Sequence, residues 1–265
     1  MKFIRPIFLF VFPLLFNGCF FGTDAADDIK ELLDASKPNP EVEQRLEKKK
    51  YTGEKKYFYE NKKIKTIIRY KDGKRNGISV NFYKDGNKCV ETEFKDGKKN
   101  GTLTWYFQNG KPYRVISYVN DKMQGPYTEY HHGGAVKFVA QFNEDMPCTG
   151  YKEYDYKGKE APELKINVEY VGYNRETVSY RYKASLNQSV TNALFYMGTL
   201  KEGKCFDDRL IESPFYNTGT EAIIDVPVKA GYYYEIPITI IAKVTTNNNV
   251  DIALQRNYTI NTKDK

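Results

Sequence analysis

Four cysteines and two histidines are the side chains in this 265-residue chain best suited to covalent or metal chemistry. The histidines, His131 and His132, are adjacent. Neighbours on a strand point to opposite faces, so the two cannot easily share a metal ion. They also fall where the surrounding sequence places a solvated turn. Cys89, Cys148 and Cys205 show neither C-x-x-C nor any other metal spacing. They read as small buried residues or as one disulfide with a thiol left over, and their spacing does not say which two would pair. The Ser, Thr, Asp and Glu residues form no nucleophile–base or paired-acid pattern, and the glycines sit in hairpin contexts, not in a phosphate loop. The expectation is a protein that binds and does not catalyse, with no metal and no cofactor.

The fourth cysteine, Cys19, has a different setting. Lys2 and Arg5 precede an apolar run, Pro6 to Phe16, that is too short to span a bilayer stably. Basic flank and short apolar run together read as an export signal over residues 1–19. The sequence Phe16-Asn17-Gly18-Cys19 resembles the lipobox of bacterial lipoproteins, in which a small residue precedes a cysteine that is acylated and becomes the new N-terminus. The resemblance implies lipidation at Cys19. With Phe20, not Asp, next in line, it implies sorting to the outer membrane, facing the periplasm or the cell surface. Gly18 and Cys19 match the pattern; Phe16 and Asn17 depart from it, and cleavage near Ala25 is the alternative. Several acyl chains on one residue anchor stably where a single chain does not.

The elements that would carry any binding residues are set by a repeat. Gly53, Gly77, Gly101 and Gly125 lie 24 residues apart, as do Gly86, Gly110, Gly134 and Gly158. Aromatics keep the same phase: Phe58, Phe82, Tyr106, Tyr130 and Tyr154 in one column, Tyr70, Phe94, Tyr118 and Phe142 in another. Turn signals such as Lys71-Asp72-Gly73-Lys74 and Lys95-Asp96-Gly97-Lys98 recur about every 12 residues, and Asp-Gly tolerates the positive φ of tight hairpins. Runs between them, such as Ile78–Phe82 and Val115–Tyr118, have strand composition. Self-similarity at this period marks stacked supersecondary units. The last copy, Asn143 to Gly150, lacks the turn glycine and carries an extra residue, as a degenerate capping unit would.

These residues resemble the MORN-repeat variant of bacterial proteins in the YwqK antitoxin-like group: an aromatic, a polar-Gly-Lys turn, then an aromatic followed by Asp-Gly-Lys-x-x-Gly. Lys95-Asp96-Gly97-Lys98-Lys99-Asn100-Gly101 is the cleanest copy, and the resemblance covers roughly residues 53–160. It implies an elongated β-sheet that binds proteins or lipids, and it implies no activity.

The expected architecture is all-β: an elongated antiparallel repeat sheet over residues 51–160, then a small β-sandwich over 161–265, with a helical tether over 20–50. In the tether, Asp27-Asp28 open a short helix with Ile29, Leu32 and Leu33 on one face, ended by Pro38. Asn39-Pro40 open a second as cap and first helical residue, and this stretch could cover the first edge of the sheet. After Ala161-Pro162 the phase stops and Leu164 to Tyr170 alternates as a half-buried strand does. Further strands are expected near Val178–Tyr182, Ala193–Met197, Ile223–Val228, Tyr232–Val244 and Ile252–Ile260.

Alternation along the repeat strands assigns Ile78, Val80, Phe82, Val90, Phe94, Ile116, Tyr118, Phe138 and Phe142 to one apolar face. Ser79, Asn81, Glu91, Glu93 and Gln141 go to a polar one. Leu103, Trp105 and Phe107, with Tyr113 and Tyr127, make that polar face locally apolar. Aromatics on a wet face are interface anchors, so these five are the expected partner-binding residues; the competing reading packs them against the second domain. Basic residues concentrate in the first repeats: residues 51–100 carry 14 Lys and Arg against 7 Asp and Glu. Lys62, Lys63, Lys74 and Arg75 are the expected contacts for an anionic surface, and export argues against nucleic acid. Three functions follow in order: an envelope protein that binds another protein, an exported antitoxin or immunity protein that neutralises a toxin, and a binder of anionic lipid or lipopolysaccharide.

Overall fold

The computed structural model describes residues 39–202, 204–207, 216–217, 220–229 and 235–261. The expected export segment with Cys19, and the helix expected around Ile29, Leu32 and Leu33, lie outside the described residues. The fold is all-β with one short helix among them. Strands β1 (Gly53–Phe58), β2 (Ile64–Lys71), β3 (Lys74–Arg75), β4 (Gly77–Phe82), β5 (Lys88–Lys95), β6 (Lys98–Tyr106), β7 (Pro112–Val119), β8 (Lys122–Tyr130), β9 (Val136–Asn143), β10 (Met146–Pro147) and β11 (Lys152–Glu153) form one antiparallel sheet. Its order is β1-β2-β4-β5-β6-β7-β8-β9-β10, with β3 beside β2 and β11 beside β9.

Turn chemistry explains this meander. Asp72 and Gly73 have φ of 50° and 84°, and Asp96 and Gly97 of 51° and 88°. Two successive positive φ values make the tight turn whose twist matches that of the flanking strands. Asn120-Asp121 and Glu144-Asp145 hold the same shape, at 50° and 71° and at 51° and 70°. The turn thus survives in the last copy without its glycine.

Neighbouring units are stitched by bonds that span one period. The backbone N–H groups of Gly97, Asp121 and Asp145 donate to the carbonyls of Arg75, Lys99 and Met123. The Tyr59 hydroxyl donates to the Phe82 carbonyl at 2.6 Å, and the Tyr83 hydroxyl to the Tyr106 carbonyl at 2.7 Å. His131 Nε2 meets the Tyr154 carbonyl at 2.9 Å in the same way, so His131 belongs to this ladder and only His132 is a solvated turn residue. Phe107 holds the matching position without a hydroxyl. Tyr83→Phe is expected to destabilise the fold by about 1 kcal/mol, the net value of one such bond, measured by urea unfolding.

Bulges recur with the same period. Pairing shifts register at Tyr57/Phe58, Asn81/Phe82, Trp105/Tyr106 and Glu129/Tyr130. The residue left unpaired on the facing strand is Lys65, Cys89, Tyr113 or Lys137. A bulge resets the alternation of side chains, and this corrects the expected faces. Asn81 pairs with Val90, Val90 with Trp105, Trp105 with Arg114, Arg114 with Glu129 and Glu129 with Phe138. That row, with Leu103, Ile116 and Tyr127 in the next, shares one face. Val80 lies on the other, in a row with Glu91, Thr104 and Val115. Ile78 is therefore 41% exposed, while Ser79 and Asn81 are buried.

Helix α1 (Pro40–Lys48) follows the expected cap, with Asn39 Oδ1 accepting from the Glu41 and Val42 backbone N–H groups. It lies over β2 and β3, not over the outer edge of β1. Leu46 packs with Ile68 and Tyr70. Glu43 accepts from the Tyr70 hydroxyl at 3.0 Å and from Arg75 Nε at 3.2 Å. Gly73 is required here twice over, by its φ and because a Cβ would lie 2.3 Å from Glu47 Cα.

Beyond the repeats, β12 (Ile166–Asn174), β13 (Ser179–Leu186), β16 (Glu221–Pro227) and β15 (Tyr216–Asn217) make a four-stranded sheet, and β14 (Asn192–Met197), β17 (Glu235–Thr245) and β18 (Asp251–Asn261) a three-stranded one. Tyr182, Ala184 and Ile224 of the first share a core with Phe195, Ile240, Ala242 and Ile252 of the second. Ile116, Tyr127, Phe138, Ala140 and Phe142 of the repeat sheet enter the same core. The Cys148–Cys205 disulfide closes the junction across 57 residues, and Cys89 is buried away from it in the repeat sheet.

Candidate functional site

Of the five aromatic and apolar residues expected to meet a partner, three are interior. Leu103 is buried in a small cluster with Tyr83, Cys89 and Val90. Phe107 is buried beside Tyr113, ring centroids 5.1 Å apart, and His132, 5.0 Å away. Tyr127 belongs to the core shared with the second unit. The packing alternative holds for Tyr127 alone; Leu103 and Phe107 pack within the repeat sheet itself. Trp105 and Tyr113 remain half-buried.

Trp105 stands where the inner face of the sheet is least covered. Helix α1 covers that face at β2, and the second unit covers it from β7 to β9. Between them lie Thr92, Phe94 and Trp105 of β5 and β6, with Arg114 and Tyr118 of β7 at the margin of the second unit, each half-buried. This strip joins one tryptophan, two other aromatics and an arginine on rigid strands, the composition of interface anchors.

Behind Trp105 the face carries buried charge. The Glu129 carboxylate accepts from Lys137 Nζ at 2.8 Å, Arg114 Nη2 at 3.2 Å and the Tyr127 hydroxyl at 3.3 Å. The Arg114 guanidinium lies 4.9 Å from the Tyr113 ring centroid and 5.4 Å from that of Tyr127. Two cations share one carboxylate, and Arg114 Nε is buried without a hydrogen-bond partner. Burial opposes the charge on Arg114, but the Tyr127 and Tyr113 hydroxyls and Glu129 outweigh it and hold its pKa above the ordinary value.

Tyrosines around this face resist ionisation. Burial pushes Tyr118 up to about 12. On the opposite face burial, aided by the hydrogen bond to Glu91, pushes Tyr106 up to about 12. A raised folded pKa means that the unfolded chain ionises first. The stability these phenols contribute is complete below pH 10 and is lost as pH rises from 10 towards 12. Absorbance at 295 nm is therefore expected to rise together with loss of β-sheet circular dichroism in that window. A phenolate signal that develops in full before unfolding would contradict it.

The four residues expected to meet an anionic surface are not brought together. Lys62 and Lys63 lie in the turn before β2, and Lys74 and Arg75 follow its other end. Eight strand residues, roughly 26 Å, separate the pairs. Arg75 is 7% exposed and held by Glu43, Lys74 pairs with Glu47 at 3.7 Å, and Lys63 Nζ donates to the Asp85 carbonyl. The structure thus corrects Arg75 from a surface contact to a residue that docks the helix.

Sequence reasoning passed over Arg114, Glu129 and Lys137, although the repeat marked the first two. Position by position, Thr66, Val90, Arg114 and Phe138 form one column, and Tyr57, Asn81, Trp105 and Glu129 another. Arg114 and Glu129 are the exceptions charged at neutral pH in their columns, and their strands are neighbours. Among the described residues, no three His, Cys, Asp or Glu side chains gather in a way that could hold a metal ion. No protein-family model matches this chain, and no curated protein sequence matches it either.

Proposed function

We propose that this chain is a lipid-anchored cell-envelope protein, held by an acylated Cys19, that binds another envelope protein along the strip around Trp105. The observation that carries the reading is that strip: Phe94, Trp105, Arg114 and Tyr118 half-buried on rigid strands, between one covered end of the sheet and the other. The expected export signal and the lipobox-like Gly18-Cys19 support a partner in the envelope, and the likeness to MORN-type repeats supports binding over catalysis. The role is non-catalytic recognition, with no cofactor.

The test is retention of partners from solubilised membranes by the tagged full chain. Trp105→Ala is expected to weaken capture of the principal partner at least tenfold, the effect of truncating a central anchor of about 2 kcal/mol, while the circular dichroism spectrum and unfolding midpoint stay near wild type. Identical protein profiles for wild type and variant would remove the proposal.

A further inference from the structure

We propose that the outer edge of β1 takes up an extended acidic segment of another polypeptide as an additional strand. β1 ends the strand order of the repeat sheet. Its backbone pairs with β2 on one side. On the other, among the described residues, the one further bond made to its backbone comes from the Tyr51 hydroxyl, to the Glu54 carbonyl at 3.0 Å. Such a row of free N–H and C=O groups is a template for strand addition. The strand is also unusually accessible: Tyr57 is 40% and Phe58 57% exposed, and helix α1 sits over β2 and β3.

Charge selects the occupant. Residues 48–65 contain eight lysines against two glutamates, and Lys55 and Lys56 lie on β1 itself. Glu54 is engaged by Lys56 at 3.3 Å and by Arg69 at 3.4 Å, which leaves the edge strongly positive. A second copy of β1 would set lysine against lysine, and like charges directly opposite destabilise a strand pair. A strand alternating acidic with β-branched residues meets both the backbone and the charge. This edge is separate from the Trp105 strip, so the two readings stand or fall independently.

The test uses the full chain and a fluorescein-labelled ten-residue peptide alternating Glu with Val, read by anisotropy. Binding is expected, weakened at least tenfold by Lys55→Glu/Lys56→Glu and at least tenfold by N-methylation of alternate peptide amides, and unchanged by Trp105→Ala. Equal binding of the N-methylated peptide would reduce the effect to charge alone and overturn strand addition. Equal binding by the charge-reversed chain would overturn the acidic preference. Capture of phosphatidylglycerol vesicles without capture of the peptide would assign the edge to a membrane surface and likewise overturn the proposal. The N-methylated control needs no altered protein, so the test holds even if the double variant folds poorly.

Discussion

Glu129→Leu is expected to destabilise the fold by about 3 kcal/mol, the low end of the range for breaking a buried ion pair. The low end applies because the side chains of Lys137 and Arg114 keep 31% and 22% of their exposure and can partly rehydrate. The loss comes less from the missing hydrogen bonds than from the cations left behind. Arg114 is confined between the Tyr113 and Tyr127 rings and already has one unpaired nitrogen. Removing all three charges is a different matter: Arg114→Met/Glu129→Leu/Lys137→Met should recover most of the stability, since apolar replacements of a buried ion cluster are often neutral or better. Urea unfolding of the single and triple variants decides it. A Glu129→Leu variant within 0.5 kcal/mol of wild type would mean that the cluster is effectively solvated.

The second large effect concerns the junction. Cys148→Ala/Cys205→Ala is expected to cost about 4 kcal/mol, because the disulfide closes a loop of 57 residues and the unfolded chain regains the corresponding entropy. The bond joins Cys148, directly after β10, to the second unit, and backbone hydrogen bonds cross the same junction. Phe206 N–H donates to the Pro147 carbonyl at 3.0 Å, and Thr149 N–H to the Lys204 carbonyl at 2.8 Å. Guanidinium unfolding of the double variant against the oxidised wild type measures the change. A difference below 1 kcal/mol would show that these bonds and the common core already hold the junction without the covalent link.

How much of this was legible in the chain depends on what each signal controls. The 24-residue phase of glycines and aromatics specified the meander, because tight turns need positive φ at fixed intervals. The all-β class, the capped second tether helix and most strands of the second unit followed from local chemistry in the same way. Side-chain orientation did not. Alternation holds only between bulges, and bulges fall at the aromatic column Phe58, Phe82, Tyr106 and Tyr130, with further register shifts at Thr92/Phe94 and Ile116/Tyr118. Counting residues across them put Ile78 on the apolar side and Ser79 and Asn81 on the wet side, the reverse of their burial; Val80 is buried, but on the face opposite Asn81. The same miscount set Leu103 and Tyr127 on the open face. The basic quartet failed for another reason: residues close in sequence can sit at opposite ends of one strand, and Arg75 is claimed by Glu43, a partner 32 positions away.

The cross-unit ladder turns the sheet into a ruler. Each 24-residue unit contributes two strands and so advances the structure by roughly 10 Å, two interstrand spacings. The turn and the bulge repeat in step with that advance, and the side-chain-to-carbonyl bond recurs at Tyr59, Tyr83 and His131. The distance between helix α1 and the second unit is thereby written in the chain as a whole number of copies, and gaining or losing one copy would reset that reach in a single fixed increment while the pieces at either end stayed the same.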